Sequence, residues 1–246
     1  MDLGGGMPLM MGMGIEPGYL FVFLATMVIS MIAQGWIKAS YAKYSRMGNS
    51  RNMTGSQAAQ LMLQSEGIND VAVRMLNSGT LSDYYDPTSK TVNLSPDVFN
   101  GRSIAAVGVA CHEVGHALQH ARHYAPMALR SLLVKPTNFA QRFSTPLIIL
   151  GLVLGYFGLV KLGFLLFATT FLFQVVTLPV EINASMRSKR ALVDHQIVAA
   201  GAEARGVSAV LTAAAFTYIA AAFSSLLWLL YYAYRLGLLG GGNRRD

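Results

Sequence analysis

The sequence predicts a mainly α, multi-pass membrane protein, in which about four transmembrane helices carry an α+β domain with a small β-sheet or hairpin. Three observations predict it. The 246 residues are 53% hydrophobic and 13% charged, where a typical soluble domain is about 25% charged. Mean hydropathy is +0.43. Apolar runs of membrane-spanning length alternate with polar stretches, and one of these, residues 38–143, is long enough to fold as a domain.

The elements follow in order. Met1 to Pro17 is rich in Gly and Met. Its methionines suit a soft metal such as Cu(I), but a flexible leader is the simpler reading. About 20 apolar residues cross a bilayer as a helix, and Gly18 to Ile37 does so with no charge inside. No basic segment precedes this run, so it reads as a retained span rather than a cleaved signal. In the polar region, Thr54 and Gln57 form a capping box for a helix that stops near Gly67. Val71 to Leu76 reads as a strand. Thr80 to Tyr85 and Lys90 to Leu94 flank the turn-forming run Asp86-Pro87-Thr88-Ser89, which predicts a β-hairpin. Ser95-Pro96 opens a short helix, and a longer one follows over about 102–123.

Thr145 to Val180 contains one charge, Lys161. As a single helix it would reach about 54 Å, so it reads as a hairpin of two spans, about 145–160 and 162–180, turning near Lys161. Residues 181–206 are polar. A last span covers about Val207 to Tyr234, with Trp228, Tyr231, Tyr232 and Tyr234 as an interfacial belt near its end, and 235–246 form a tail.

Charge placement orients these spans. The net charge is +7, and fifteen of the nineteen Lys and Arg lie in the segments 38–143 and 181–206. Four spans put both segments on one side. The positive-inside rule makes that side cytoplasmic and leaves both termini outside. The same asymmetry favours membrane lipid over nucleic acid as the partner of the basic charge. The single cysteine, Cys111, excludes an intramolecular disulfide framework and reads as a small buried residue.

The chemistry lies in His112-Glu113-Val114-Gly115-His116. On a helix, residues four apart share a face, so two imidazoles can hold one Zn²⁺ per chain, with Glu113 beside them as general base for a zinc-activated water. A solvated helix face with incidental histidines is the plainer reading. The run continues the apolar stretch Ile104 to Cys111, however, where unpartnered polar groups would be costly. Gly115 suggests a close backbone approach. A catalytic zinc needs a third protein ligand. His120 would lie about 12 Å along the axis from His112, too far for one ion, and Gln119 and Arg122 occupy the places where a metzincin needs Gly and His. His120 and His123 therefore read as surface residues. Glu181, a lone carboxylate at the end of the third span and on the same side as His116, is the expected ligand. The alternative is an interfacial glutamate reaching water.

With these residues in view, the chain resembles the YugP-like family of bacterial membrane zinc metallopeptidases. The resemblance is carried by Met53-Thr54-Gly55, Gly79 to Pro87, Lys90 to Ser95, His112 to Gln119, and Phe173 to Glu181. More distantly it is similar to the HtpX-type and CAAX-prenyl membrane peptidases. These are gluzincins, whose later ligand motif Glu-x-x-Ala-Asp matches Glu181 and Ala184 but meets Ser185 at the Asp. The resemblance implies a zincin-like domain with His112, His116 and Glu181 as ligands. Asn183, Ser185 or a polar-domain residue would then hold a ligand imidazole where the relatives use Asp. It also implies an edge strand that pairs with the substrate backbone. The strand Lys90, Thr91, Val92, Asn93 and Leu94 is the candidate, with ordinary core sheet as the other reading. For the oxyanion, Tyr84, Tyr85, Arg187 and His195 are available.

The expectation is a membrane-embedded zinc endopeptidase acting on a peptide or protein substrate. An intramembrane site-2-type protease uses the same motif inside a span, but Arg122 and Arg130 near the run disfavour that. A non-catalytic zinc-stabilised scaffold would have no use for Glu113. Substrate identity and oligomeric state have no signature in the sequence.

Overall fold

The computed structural model describes residues 16–77 and 82–239. The expected leader, apart from its last two residues, the end of the tail, and the start of the Thr80–Tyr85 strand lie outside them. The chain is mainly helical, with a small mixed three-stranded sheet. Three of the described helices are long and apolar enough to cross a membrane: α1 (Pro17–Tyr44), α6 (Phe157–Asp194) and α7 (Ala202–Arg235). α1 starts where Pro17 can sit at no hydrogen-bonding cost. It runs beside α7, with Trp36 and Phe216 ring centroids 5.2 Å apart. At the far end Tyr231 donates to Glu16 Oε2 at 2.6 Å and Arg235 pairs with the same oxygen at 2.5 Å. Tyr19, Trp228, Tyr231 and Tyr232 cluster there.

The fourth expected span is different. α5 (Ala125–Val153) packs along α6 as a hairpin, but it begins well inside the polar region and carries Arg130, Lys135 and Arg142. Hence it is not among the three long apolar helices. The chain reverses at Leu154–Tyr156, where Gly155 takes φ +65, rather than near Lys161. A lysine can stay in a helix by lying along it, and the Lys161 ammonium sits 4.9 Å from the Phe157 ring centroid. The left-handed backbone, easy only for glycine, sets the turn. α6 also continues past Val180 to Asp194, so Glu181 lies inside a helix and not in a loop after one.

Between α1 and α5 lies the polar domain. Thr54 caps α2 (Gly55–Ser65) through a reciprocal box with Gln57. The strands β1 (Ala72–Met75), β2 (Tyr84–Asp86) and β3 (Thr91–Leu94) form a sheet in the order β1-β3-β2. β3 is parallel to β1 and antiparallel to β2, and Lys90 at φ +51 closes the turn. This corrects the expectation for Lys90 to Leu94. Thr91, Val92, Asn93 and Leu94 are buried, and both edges of β3 are already hydrogen-bonded. The strand is core sheet and has no edge left for a substrate. The edge beside the HEVGH helix belongs to β2.

Ser95 precedes the short α3 (Pro96–Phe99) without a side-chain cap bond. Its hydroxyl donates to Asp83 Oδ1 at 3.0 Å instead. Ser103 caps α4 (Ile104–Ala121), accepting from Ala106 N at 3.1 Å. α4 is the axle of the fold, buried along most of its length and packed against α2, the sheet, α6 and α7. Cys111, Val107 and Val114 are fully buried there.

Candidate metal centre

α4 and α6 meet at a bare backbone. A Cβ on Gly115 would lie 2.6 Å from the Ala184 carbonyl oxygen, so only glycine permits the approach. This contact brings Glu181, one turn before Ala184, over His112 and His116. Glu181 Oε2 is 3.3 Å from His112 Nε2 and 3.6 Å from His116 Nε2. One ligand atom from each residue lies within 4.8 Å of the others. Glu181 is 2% exposed, His116 6% and Glu113 8%.

The surroundings decide which imidazole nitrogens face the carboxylate. Gln119 donates its two amide hydrogens to Val180 O at 2.7 Å and Asn183 Oδ1 at 3.1 Å. Asn183 Oδ1 also accepts from Arg187 Nε at 2.7 Å. Gln119 Oε1 is therefore left to accept from His116 Nδ1 at 3.0 Å, and Nε2 of His116 is the unprotonated nitrogen of the neutral ring. Ser185 Oγ lies 3.2 Å from His112 Nδ1. An imidazole lone pair thus points at a buried carboxylate, and two acceptors repel unless a cation or a proton lies between them. Burial works against protonating His116. The hydrogen bond and charge of Glu181 and the charge of Glu113 outweigh it and raise its pKa. The set of two imidazole nitrogens and one carboxylate oxygen, with an open side toward a cleft, fits a zinc site that keeps a position for substrate.

Two cavities open on this centre. One, about 390 Å³, is bounded by β2 and by α5. The other, about 190 Å³, lies among α1, α4, α6 and α7. Glu113 lines both. Of the expected oxyanion donors, Tyr84 and Tyr85 line the larger cleft. Tyr85 hydroxyl is engaged with His120 Nδ1 at 2.8 Å, and burial, then Asp70 and Asp86, push its pKa up to about 12. Arg187 holds Asn183, and His195 pairs with Glu66 at 3.1 Å. None of Lys90 to Leu94 lines either cavity.

Three residues of the site carry no sequence reading as site residues. Gln119 follows His116 by one helical turn, and that spacing is the one signal that could have marked it. Arg130, whose Nη2 is 3.7 Å from Glu181 Oε1, and Tyr218, which lines both cavities, arrive from distant helices with no local pattern.

Residues 19–237 match the model of a family described as "Putative neutral zinc metallopeptidase". The chain belongs to this family. Over 214 residues it is 42% identical to the "Putative membrane protease YugP" of Bacillus subtilis (strain 168), covering 87% of this chain and 94% of that protein. No solved structure matches it. As a member of a zinc metallopeptidase family with three long apolar helices, the chain pairs a zinc-binding tradition with membrane association.

Proposed function

We propose that the chain is a membrane-embedded zinc endopeptidase of the gluzincin type, with His112, His116 and Glu181 as ligands of one zinc ion and Glu113 as general base. The observation that carries it is the convergence of Glu181 on the two Nε2 atoms at 3.3 and 3.6 Å. Bound there, a zinc ion supplies Lewis acidity, which acidifies water and polarises a peptide carbonyl. Glu113, next to His112 and facing both cavities, takes the proton from the attacking water and delivers it to the leaving amine. Gln119 and Ser185 hold the imidazoles in the ligating orientation. The outer edge of β2 offers backbone groups to a substrate in extended form.

The α5–α6 hairpin enters the bilayer as a unit, giving four crossings with α1 and α7. The centre faces the cytoplasm and both termini face out. The basic residues Lys38, Lys43, Arg187, Lys189 and Arg190 near the metal end support this side.

The test is a zinc assay run beside proteolysis on purified wild type, His116→Ala, Glu181→Ala and Glu113→Gln. The first two variants should lose zinc and activity together. Glu113→Gln should keep zinc and lose activity by about 10²–10⁴-fold. Full turnover by Glu113→Gln would end the proposal.

A further inference from the structure

The two cavities share Asp83, His112, Glu113, Glu181 and Tyr218, so two of the candidate ligands, His112 and Glu181, and the candidate base stand on the boundary between them. Beyond those shared residues their walls differ in chemistry. The smaller crevice is closed by apolar side chains of α1, α4 and α7, including Ile37, Val109, Val210, Leu211, Ala214 and Ala215. The larger cleft gains Arg130 and Lys135 from α5.

The acidic groups facing the larger cleft are already committed. Asp83 accepts from Ser95 N at 2.7 Å and Ser95 Oγ at 3.0 Å. Glu181 faces the imidazoles and Glu113 is the base. The cations are less engaged. Arg130 has Nη2 3.7 Å from Glu181 Oε1, beyond hydrogen-bond distance, and its Nε is buried with no hydrogen-bond partner. Lys135 is exposed and enters no ion pair among the described residues. A substrate crossing this cleft therefore meets cationic donors on α5.

We infer that the substrate is a peptide segment of two-sided character, which deepens the hydrolase reading and rests on it. On one side of the scissile bond an apolar side chain seats in the crevice between α1 and α7. On the other side an acidic side chain pairs with Lys135 and Arg130. A chain with this pattern occurs where a membrane-inserted stretch gives way to an acidic stretch. The occupant of the crevice is the peptide, because a single extended chain running through both cavities is what places a bond at their shared boundary.

The experiment uses the full chain, zinc-loaded, in lipid nanodiscs. Quenched-fluorescence peptides carry Glu, Gln or Lys in one half and an apolar half with either Leu or Ala at its core, in both chain directions. In one direction kcat/KM should favour Glu over Lys by about fivefold, the scale of an exposed ion pair. Lys135→Glu, a change at an exposed side chain, should reverse that order. Ala215→Phe should slow peptides with large apolar residues and spare those with Ala.

Equal rates for the three peptides, or an unchanged order in Lys135→Glu, would overturn the inference while leaving the hydrolase reading in place. Uniform slowing of every peptide by Ala215→Phe would also overturn it, since the crevice would then hold something other than substrate. Turnover surviving in Glu113→Gln, or no turnover of any peptide by wild type, would remove the hydrolase reading and this inference with it.

Discussion

Gln119 is fully buried and spends both amide hydrogens on α6, which leaves its oxygen for His116. Leucine there would keep much of the volume but leave the imidazole N–H unpaired and free to turn. Gln119→Leu should weaken zinc binding about 10–100-fold, as loss of a residue supporting a ligand does. Competition with a chromophoric chelator measures this, and unchanged helical circular dichroism would show that the fold survives.

His116 itself predicts a pH dependence. Its pKa is raised in the metal-free protein, so the protonated form persists to higher pH and competes with the ion. Zinc retention should fall as pH drops through that raised pKa. The sign for stability is opposite in the zinc-free chain. There the attraction between charged His116 and Glu181 is fully present below the unfolded pKa and is lost as pH rises through the folded one. Equilibrium dialysis and denaturation of the zinc-free protein across pH check the two halves. Zinc retention independent of pH would contradict the first.

At the scale of elements, the α4–α6 contact at Gly115 carries the geometry. An added methyl group would meet the backbone of Ala184 rather than a side chain that can swing away. Gly115→Ala should therefore cost about 1–3 kcal/mol and displace Glu181 from the imidazoles. Chemical denaturation and metal analysis should show zinc lost under conditions where the variant is still folded.

Much of this level was legible in the chain. The HEVGH helix, its apolar approach, the Thr54 box and the turn before β3 are local patterns, and local spacing reveals them. Glu181 was legible because a lone carboxylate stands out in an apolar run. Gly115 was legible as a close approach, though not which helix approaches. The order of the sheet was not, because β1 and β3 pair in parallel across a long connection, and nothing in Lys90 to Leu94 says that both edges are taken. Lys161 misled for a different reason. Its charge resembled a turn, while the conformational freedom of Gly155 made one. Arg130 and Tyr218 reach the centre only through the packing of α5 and α7, which no spacing encodes.

For the whole molecule, the proposed topology predicts where reagents can reach. Cys111 is buried, so the native background is quiet. In intact cells a membrane-impermeant maleimide should label Leu154→Cys, at the hairpin reversal, and leave Ser45→Cys unlabelled until the membrane is opened. The reverse pattern would turn the protein over and put the centre outside.

The pairing of Glu16 with Tyr231 and Arg235 has a practical consequence. It stitches the start of α1 to the end of α7, at the pole away from the candidate metal centre. Ile37 of α1, which borders the crevice, lies roughly 30 Å up the helix from that seam, at 1.5 Å per residue. A fluorescent protein or affinity handle joined directly before Glu16 or after Leu239 would start from this pole and leave the mouth of the crevice clear.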